Sequence, residues 1–236
     1  MVVIALWEWA VVAFEIPQYT LPRPSAIWVS FSGESGDLMH HTWLTAKEAL
    51  LGYLIGNGIA LVLAALMAEF KIVEKSLYPY VLVLRSLPIV ALAPLLIIWF
   101  GFTIWPIVAA SALICFFPTL VNGVEGFKAA DTTMLELMRS LNASRTQVFQ
   151  RVKLPNAMPY IFAALKISVV SSMIGAIVGE WIAADAGLGF LTIQANNFVD
   201  TLLLFRAIIA MAVLALSWFL LVVIIEKRVL KWQTSS

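Results

Sequence analysis

The sequence predicts an all-α membrane protein with about six spanning helices, and three observations carry that prediction. The first is composition. The chain is 62% hydrophobic and 12% charged, where a soluble domain is about 45–50% apolar and about 25% charged. The second is a series of long apolar runs near 50–68, 77–100, 104–122, 159–180 and 203–225, each close to the roughly 20 residues a helix needs to cross a bilayer. The third is the placement of Lys and Arg, most of which fall on one side of those runs.

A sixth apolar run lies at 2–14. At about 1.5 Å per residue it reaches some 20 Å, short of a hydrocarbon core of about 30 Å. It contains Glu8, no basic stretch precedes it and no small-residue cleavage site is evident. It is therefore read as a first span near 2–16 rather than a signal peptide. The segment "IPQYTLPRPSAIWVSF" that follows holds Pro17, Pro22 and Pro24. It predicts an extended stretch and then a short helix on the outer surface.

With six spans, Lys71, Lys75, Lys128, Arg139, Arg145, Arg151, Lys153, Lys227, Arg228 and Lys231 share one side. The other side holds Arg23, Lys47 and Arg206, diluted by Glu15, Glu34, Asp37, Glu48, Asp185 and Asp200. The positive side faces the cytoplasm, so both termini and the long loop 123–158 are expected there. No internal repeat or second domain is visible, and 1–236 reads as one transmembrane domain. Trp43, Trp99, Trp105, Trp181 and Trp232 fall near span ends as an interfacial belt.

Several function classes drop out. A net charge of +1 gives no reason to expect nucleic acid. Cys115 stands alone in an apolar run and reads as a small buried hydrophobe. His40 and His41 are adjacent, and neighbours on a helix point about 100° apart, so no metal site is expected. There is no H-E-x-x-H, no G-x-S-x-G and no mid-span aspartate pair, so no catalytic residue is assigned. There is also no G-x-x-x-x-G-K-[ST] phosphate loop. ATP and Mg, if used, must be held by another polypeptide.

The informative stretch is "ELMRSLNASRTQVFQRVKLPNAMPYI", Glu136 to Ile161. Met134, Leu137, Met138 and Leu141 recur at helical spacing and form an apolar stripe, with Glu136, Arg139 and Ser140 on other faces. Asn142 tolerates a left-handed backbone and so ends that helix. A second short helix is expected from Ala143-Ser144, with Val148, Phe149 and Val152 on its apolar side, stopped by Leu154-Pro155 before the next span. A loop this long with amphipathic structure of its own is usually functional.

This stretch resembles the cytoplasmic loop of permease subunits of bacterial ABC importers, whose pattern runs Glu-Ala-Ala, three residues, Gly, nine residues, Ile, one residue, Leu-Pro. Here Glu136, Leu137 and Met138 stand for the triplet, Asn142 for the Gly, Val152 for the Ile, and Leu154-Pro155 match. Leu and Met in place of alanine add bulk, so a partner's groove is expected to be wider. The likeness extends to "LPRPSAIW", "LRSLPIVALAPLLIIWFG" and "GEWIAADAGLGFLTIQANNFVDT". These are similar to the binding-protein-dependent permeases for sulfonates, taurine, nitrate and thiamine or riboflavin precursors.

The resemblance implies a type I ABC importer permease fold in the bacterial inner membrane. It implies a coupling helix that docks on a separate cytoplasmic ATPase, with Met134, Leu135, Glu136, Leu137, Met138, Arg139, Asn142, Leu154 and Pro155 as the coupling residues. The implied partners are two ATP-binding subunits, a second permease copy in a homodimer, an extracytoplasmic solute-binding protein and membrane lipids. "IQANNFVDT" looks more like the vitamin and pyrimidine-precursor branch.

Within the membrane, Ser168, Ser171, Ser172, Gly175 and Gly179 share a face of the fifth span, as expected of tight helix packing or of a path. Gly52 and Gly56 make another such pair. Arg85 in the third span and Lys166 in the fifth are charges at depth, where such groups face protein or water or snorkel. Glu180 enters the outer turn. Arg85, Ser86, Pro88, Ser168, Ser172, Gly175 and Glu180 are the candidate path residues, and Pro88 and Pro94 the candidate kinks. An ion-gradient-driven secondary transporter is the alternative, but it leaves the loop unexplained and no inverted repeat supports it.

Overall fold

Residues 2–31 and 35–231 are described by the computed structural model; Glu34 and Trp232 lie outside them. Every regular element among the described residues is helical. In order these are α1 (Val2–Ala13), α2 (Pro24–Ser30), α3 (Ser35–Glu69), α4 (Lys71–Ser86), α5 (Ile89–Phe100), α6 (Trp105–Lys128), α7 (Thr132–Ser140), α8 (Arg145–Val148), a π-turn (Phe149–Lys153), α9 (Leu154–Ala183), α10 (Leu188–Phe198) and α11 (Thr201–Val229).

Four stretches are long and apolar enough to cross a membrane: Asp37–Glu69, Trp105–Lys128, Arg145–Ala183 and Thr201–Val229. The pair α4 and α5 makes a fifth if counted as one broken span, bent by 103°. The break falls where Leu87 is extended (ψ 130) ahead of Pro88, because a proline ring pushes the preceding residue out of the helical region. Pro94, the other candidate kink, sits inside α5, which continues to Phe100. The run at the start of the chain forms only the 12 residues of α1, about 18 Å of helix, and the backbone turns at Glu15 with φ 52. Span two differs more: α3 begins at Ser35 rather than near 50 and carries His41, Thr45 and Glu48 inward.

The core is a three-helix layer with α6 between α3 and α9. Small residues make the close approach possible. A β-carbon on Gly52 would meet Ser111, on Gly56 the Ala112 backbone and Cys115, on Gly175 the Ser111 backbone, and on Gly179 Ile107. Polar groups inside this layer satisfy one another, as burial demands. Thr119 bridges Asn57 and Ser168, Asn57 Nδ2 donates to the Tyr53 carbonyl (2.8 Å), and Ser168 Oγ donates to the Cys115 carbonyl (3.1 Å). Toward the α7 end, Ala60, Ala64, Met67, Leu120, Val124, Phe127, Ala157 and Ile161 close the core. α11 packs beside it through Trp218 on Tyr53, ring centroids 5.0 Å apart. α1 is tied to α2 by the Ser25 hydroxyl on Glu8 (2.7 Å) and to α11 by Trp7 on Phe205.

Candidate functional site

The loop between α6 and α9 is built from local sequence signals. Asp131 caps α7 by accepting the Thr133 amide (2.8 Å). At the other end Asn142 adopts φ 53. The Asn142 amide donates to the Arg139 carbonyl (2.9 Å) and the Ala143 amide to the Met138 carbonyl (3.0 Å). Those two bonds are a Schellman ending, which satisfies carbonyls that the last turn would leave bare. Ser144 then opens α8 with a reciprocal capping box to Gln147.

On α7 the exposed apolar side chains are Met134, Leu137 and Leu141, while Leu135 and Met138 are half-buried and face the protein. Glu136 and Arg139 are exposed. No α7 residue is fully buried. The stripe thus splits, with Met138 turned inward.

Leu154-Pro155 does not stop the second helix. α8 runs through the π-turn into α9 without a break, and Pro155 sits in the first turn of α9. The reason is that the Leu154 amide donates to the Phe149 carbonyl, one residue wider than in an α-helix. That widening absorbs the ring where a straight α-turn would clash. The joint is pinned to the bundle by Phe149 stacked on Phe127 (5.3 Å) and by Lys153 on Glu69 (2.5 Å).

Four of the seven candidate path residues are interior. Ser168 and Ser172 have no exposed surface, Gly175 packs on Ser111, and Glu180 is 1% exposed. Ser168, Ser172 and Gly175 are packing residues of the three-helix layer; the Ser111 hydroxyl donates to the Ser172 carbonyl (2.9 Å). A small-residue face serves close packing, which is what it does within this chain.

Glu180 anchors the outer turn. Thr45 Oγ1 donates to Glu180 Oε1 (2.6 Å) and the Gly189 amide donates to Oε2 (2.5 Å). The Leu188 amide donates to Thr45 Oγ1 and the Gly187 amide to His41 Nδ1, both 2.8 Å. Three successive amides at the start of α10 are therefore received by buried side chains from α3 and α9. A helix N-terminus offers unpaired amides and positive potential, so a carboxylate belongs there. Gly187 holds φ 121, and a β-carbon on it would strike the Glu180 carboxyl. Glu48, which the sequence offered only as an outer acid, is 4% exposed beside this cluster and lines a 420 Å³ cavity with Thr103 and Asp185.

A larger cavity lies elsewhere. About 720 Å³ opens between α4, α5, α6 and α9, with Arg85, Asn122 and Ser171 as its polar lining beside Leu92, Trp99 and Phe117. Of the candidate path residues only Arg85 lines it; Ser86 and Pro88 are exposed in the adjacent break. Trp99, read from sequence as belt, is on its wall. Lys166 does not snorkel: its Nζ lies 2.8 Å from both carboxylate oxygens of Glu226 on α11.

Residues 56–231 match the family described as the binding-protein-dependent transport system inner membrane component. The chain belongs to this family. The permease is thus a multi-pass inner-membrane protein of a transport system. It is similar to the riboflavin transport system permease protein RibX of Chloroflexus aurantiacus, 32% identical over 239 residues, spanning 100% of this chain and 88% of the relative. It is also similar to the putative aliphatic sulfonates transport permease protein SsuC of Bacillus subtilis, at 31% identity, spanning 99% of this chain and 86% of that one. Its fold matches the inward-facing MetNI methionine ABC transporter with a TM-score of 0.70 at 17% identity, over 82% of this chain and 94% of the other.

Proposed function

We propose that this permease forms the membrane path of an ATP-driven importer and takes its power stroke through α7 from a separate cytoplasmic ATPase. The observation that carries this reading is the exposed stripe of Met134, Leu137 and Leu141 on a helix capped at both ends. An apolar stripe in water is costly unless a partner covers it. Glu136 and Arg139 flank the stripe and suit charge-assisted contacts at the rim. Pushing α7 would push α9, because the elbow between them contains no flexible linker: Schellman ending, capping box and π-turn follow in direct succession.

In this reading two ATPase subunits hold ATP and Mg, two permease copies face each other as a homodimer, and a solute-binding protein delivers from outside. In this reading both termini and α7 face the cytoplasm, which the Lys and Arg asymmetry supports. The solute is a small organic molecule such as a vitamin or pyrimidine precursor, or a sulfonate or nitrate. Relatives of nearly equal identity are named for riboflavin and for aliphatic sulfonates.

The test is a proteoliposome carrying permease and ATPase, with residues 131–142 replaced by a Gly-Ser tether of equal length. ATP-dependent uptake and ATPase co-purification should both be lost. Uptake that persists, or that runs on an ion gradient without the ATPase, sinks the reading in favour of a secondary transporter.

A further inference from the structure

Charges buried in the bilayer are paired or watered, because lipid solvates neither. Lys166, within the fifth span, meets this with Glu226. Arg85 does not: its side chain is exposed on the single chain, has no acid or hydrogen-bond partner among the described residues, and lines the 720 Å³ cavity. That cavity lies near mid-height on the two long helices that line it. Its α6 lining runs from Leu113 to Asn122, about 12–26 Å along a helix of about 36 Å. Its α9 lining, Ile167 and Ser171, lies about 20–26 Å along a helix of about 45 Å.

We propose that the cavity between the broken α4–α5 span and α6/α9 is a solute site selective for small organic anions, with Arg85 holding the anionic group and the apolar walls holding the body. This deepens the permease reading and rests on it. The volume falls within the range of about 300–1,000 Å³ typical of small-ligand sites. The lining is mainly apolar, with one guanidinium, one amide (Asn122) and one hydroxyl (Ser171). Orientation by few polar groups in an oily pocket is how such sites discriminate. A guanidinium presents a planar fork that matches a sulfonate or carboxylate with two parallel hydrogen bonds. A lipid phosphate carries the same charge, but phosphates stand at the bilayer surface, about 15 Å from the midplane. The mid-depth lining therefore favours a solute.

The test reads binding, not transport, so it is independent of ATPase coupling. Full-length permease in phosphatidylcholine nanodiscs is probed with naphthalene-1-sulfonate by ligand-detected saturation-transfer NMR, against neutral naphthalene-1-methanol. The sulfonate should bind saturably and the alcohol should not displace it. Arg85→Gln should reduce the signal at least fivefold, with Arg85→Lys intermediate. Should Arg85→Gln not fold, Asn122→Asp carries the test by placing a negative charge in the cavity, with the same expected loss. Equal binding by wild type and a folded Arg85→Gln variant, or by folded Asn122→Asp in its place, overturns the proposal. So does full competition by the alcohol, or displacement of the sulfonate when phosphatidylglycerol replaces a quarter of the lipid. A coupling-loop variant that abolishes uptake but leaves sulfonate binding intact supports the site; loss of binding with uptake retained overturns it.

Discussion

Thr45 and Glu180 meet 2.6 Å apart across the α3–α9 interface, and between them they receive two of the three amides that start α10. Glu180 is therefore a builder of the outer turn. Glu180→Ala strands the Gly189 amide, and a buried orphan costs about 1–3 kcal/mol. Thermal unfolding in detergent should show a clear loss for Glu180→Ala and a similar one for Thr45→Val, which strands the Leu188 amide. An Ala variant that melts like wild type but fails in transport would show that Glu180 acts in the path and not in the turn.

Asn142 holds φ 53 at the end of α7. A left-handed backbone costs an ordinary side chain about 1–2 kcal/mol, and glycine nothing. Asn142→Gly should therefore preserve ATP-driven uptake, and Asn142→Val should weaken it and speed amide hydrogen exchange across α7. Equal exchange in the two variants would show that the Schellman ending does not set the helix.

The Lys166–Glu226 pair joins α9 to α11 with both side chains less than a third exposed. Removing either partner leaves a charge without its counterpart at a cost of about 1–3 kcal/mol in this partly open setting. The double change Lys166→Ala/Glu226→Ala should be less harmful than the two single losses added together, by about 0.5–3 kcal/mol. A double-mutant cycle on chemical unfolding reads this directly, and strict additivity would mean that the pair contributes nothing.

Features set by neighbours in the chain are legible in the sequence. The turn at Asn142, the break before Pro88 and the apolar period of α7 each follow from a few adjacent residues. Features set by distant residues are not. Glu226 stands 60 residues from Lys166 and Thr45 stands 135 residues from Glu180, and no local pattern announces either meeting. The early start of α3 is hidden because His41, Thr45 and Glu48 look like solvated residues until their buried surroundings are known. Pro155 misleads because the π-turn that tolerates it is a tertiary accommodation, pinned by Phe149 on Phe127.

The glycines that seat α6 against α3 and α9 leave no room for even a methyl group at Gly52, Gly56, Gly175 or Gly179. Such a laminate has almost no internal slack, so it swings as a single slab. In the proposed two-copy assembly, alternating access would come from how two slabs hinge against each other, and from the broken α4–α5 flank, which lacks that seam of glycines.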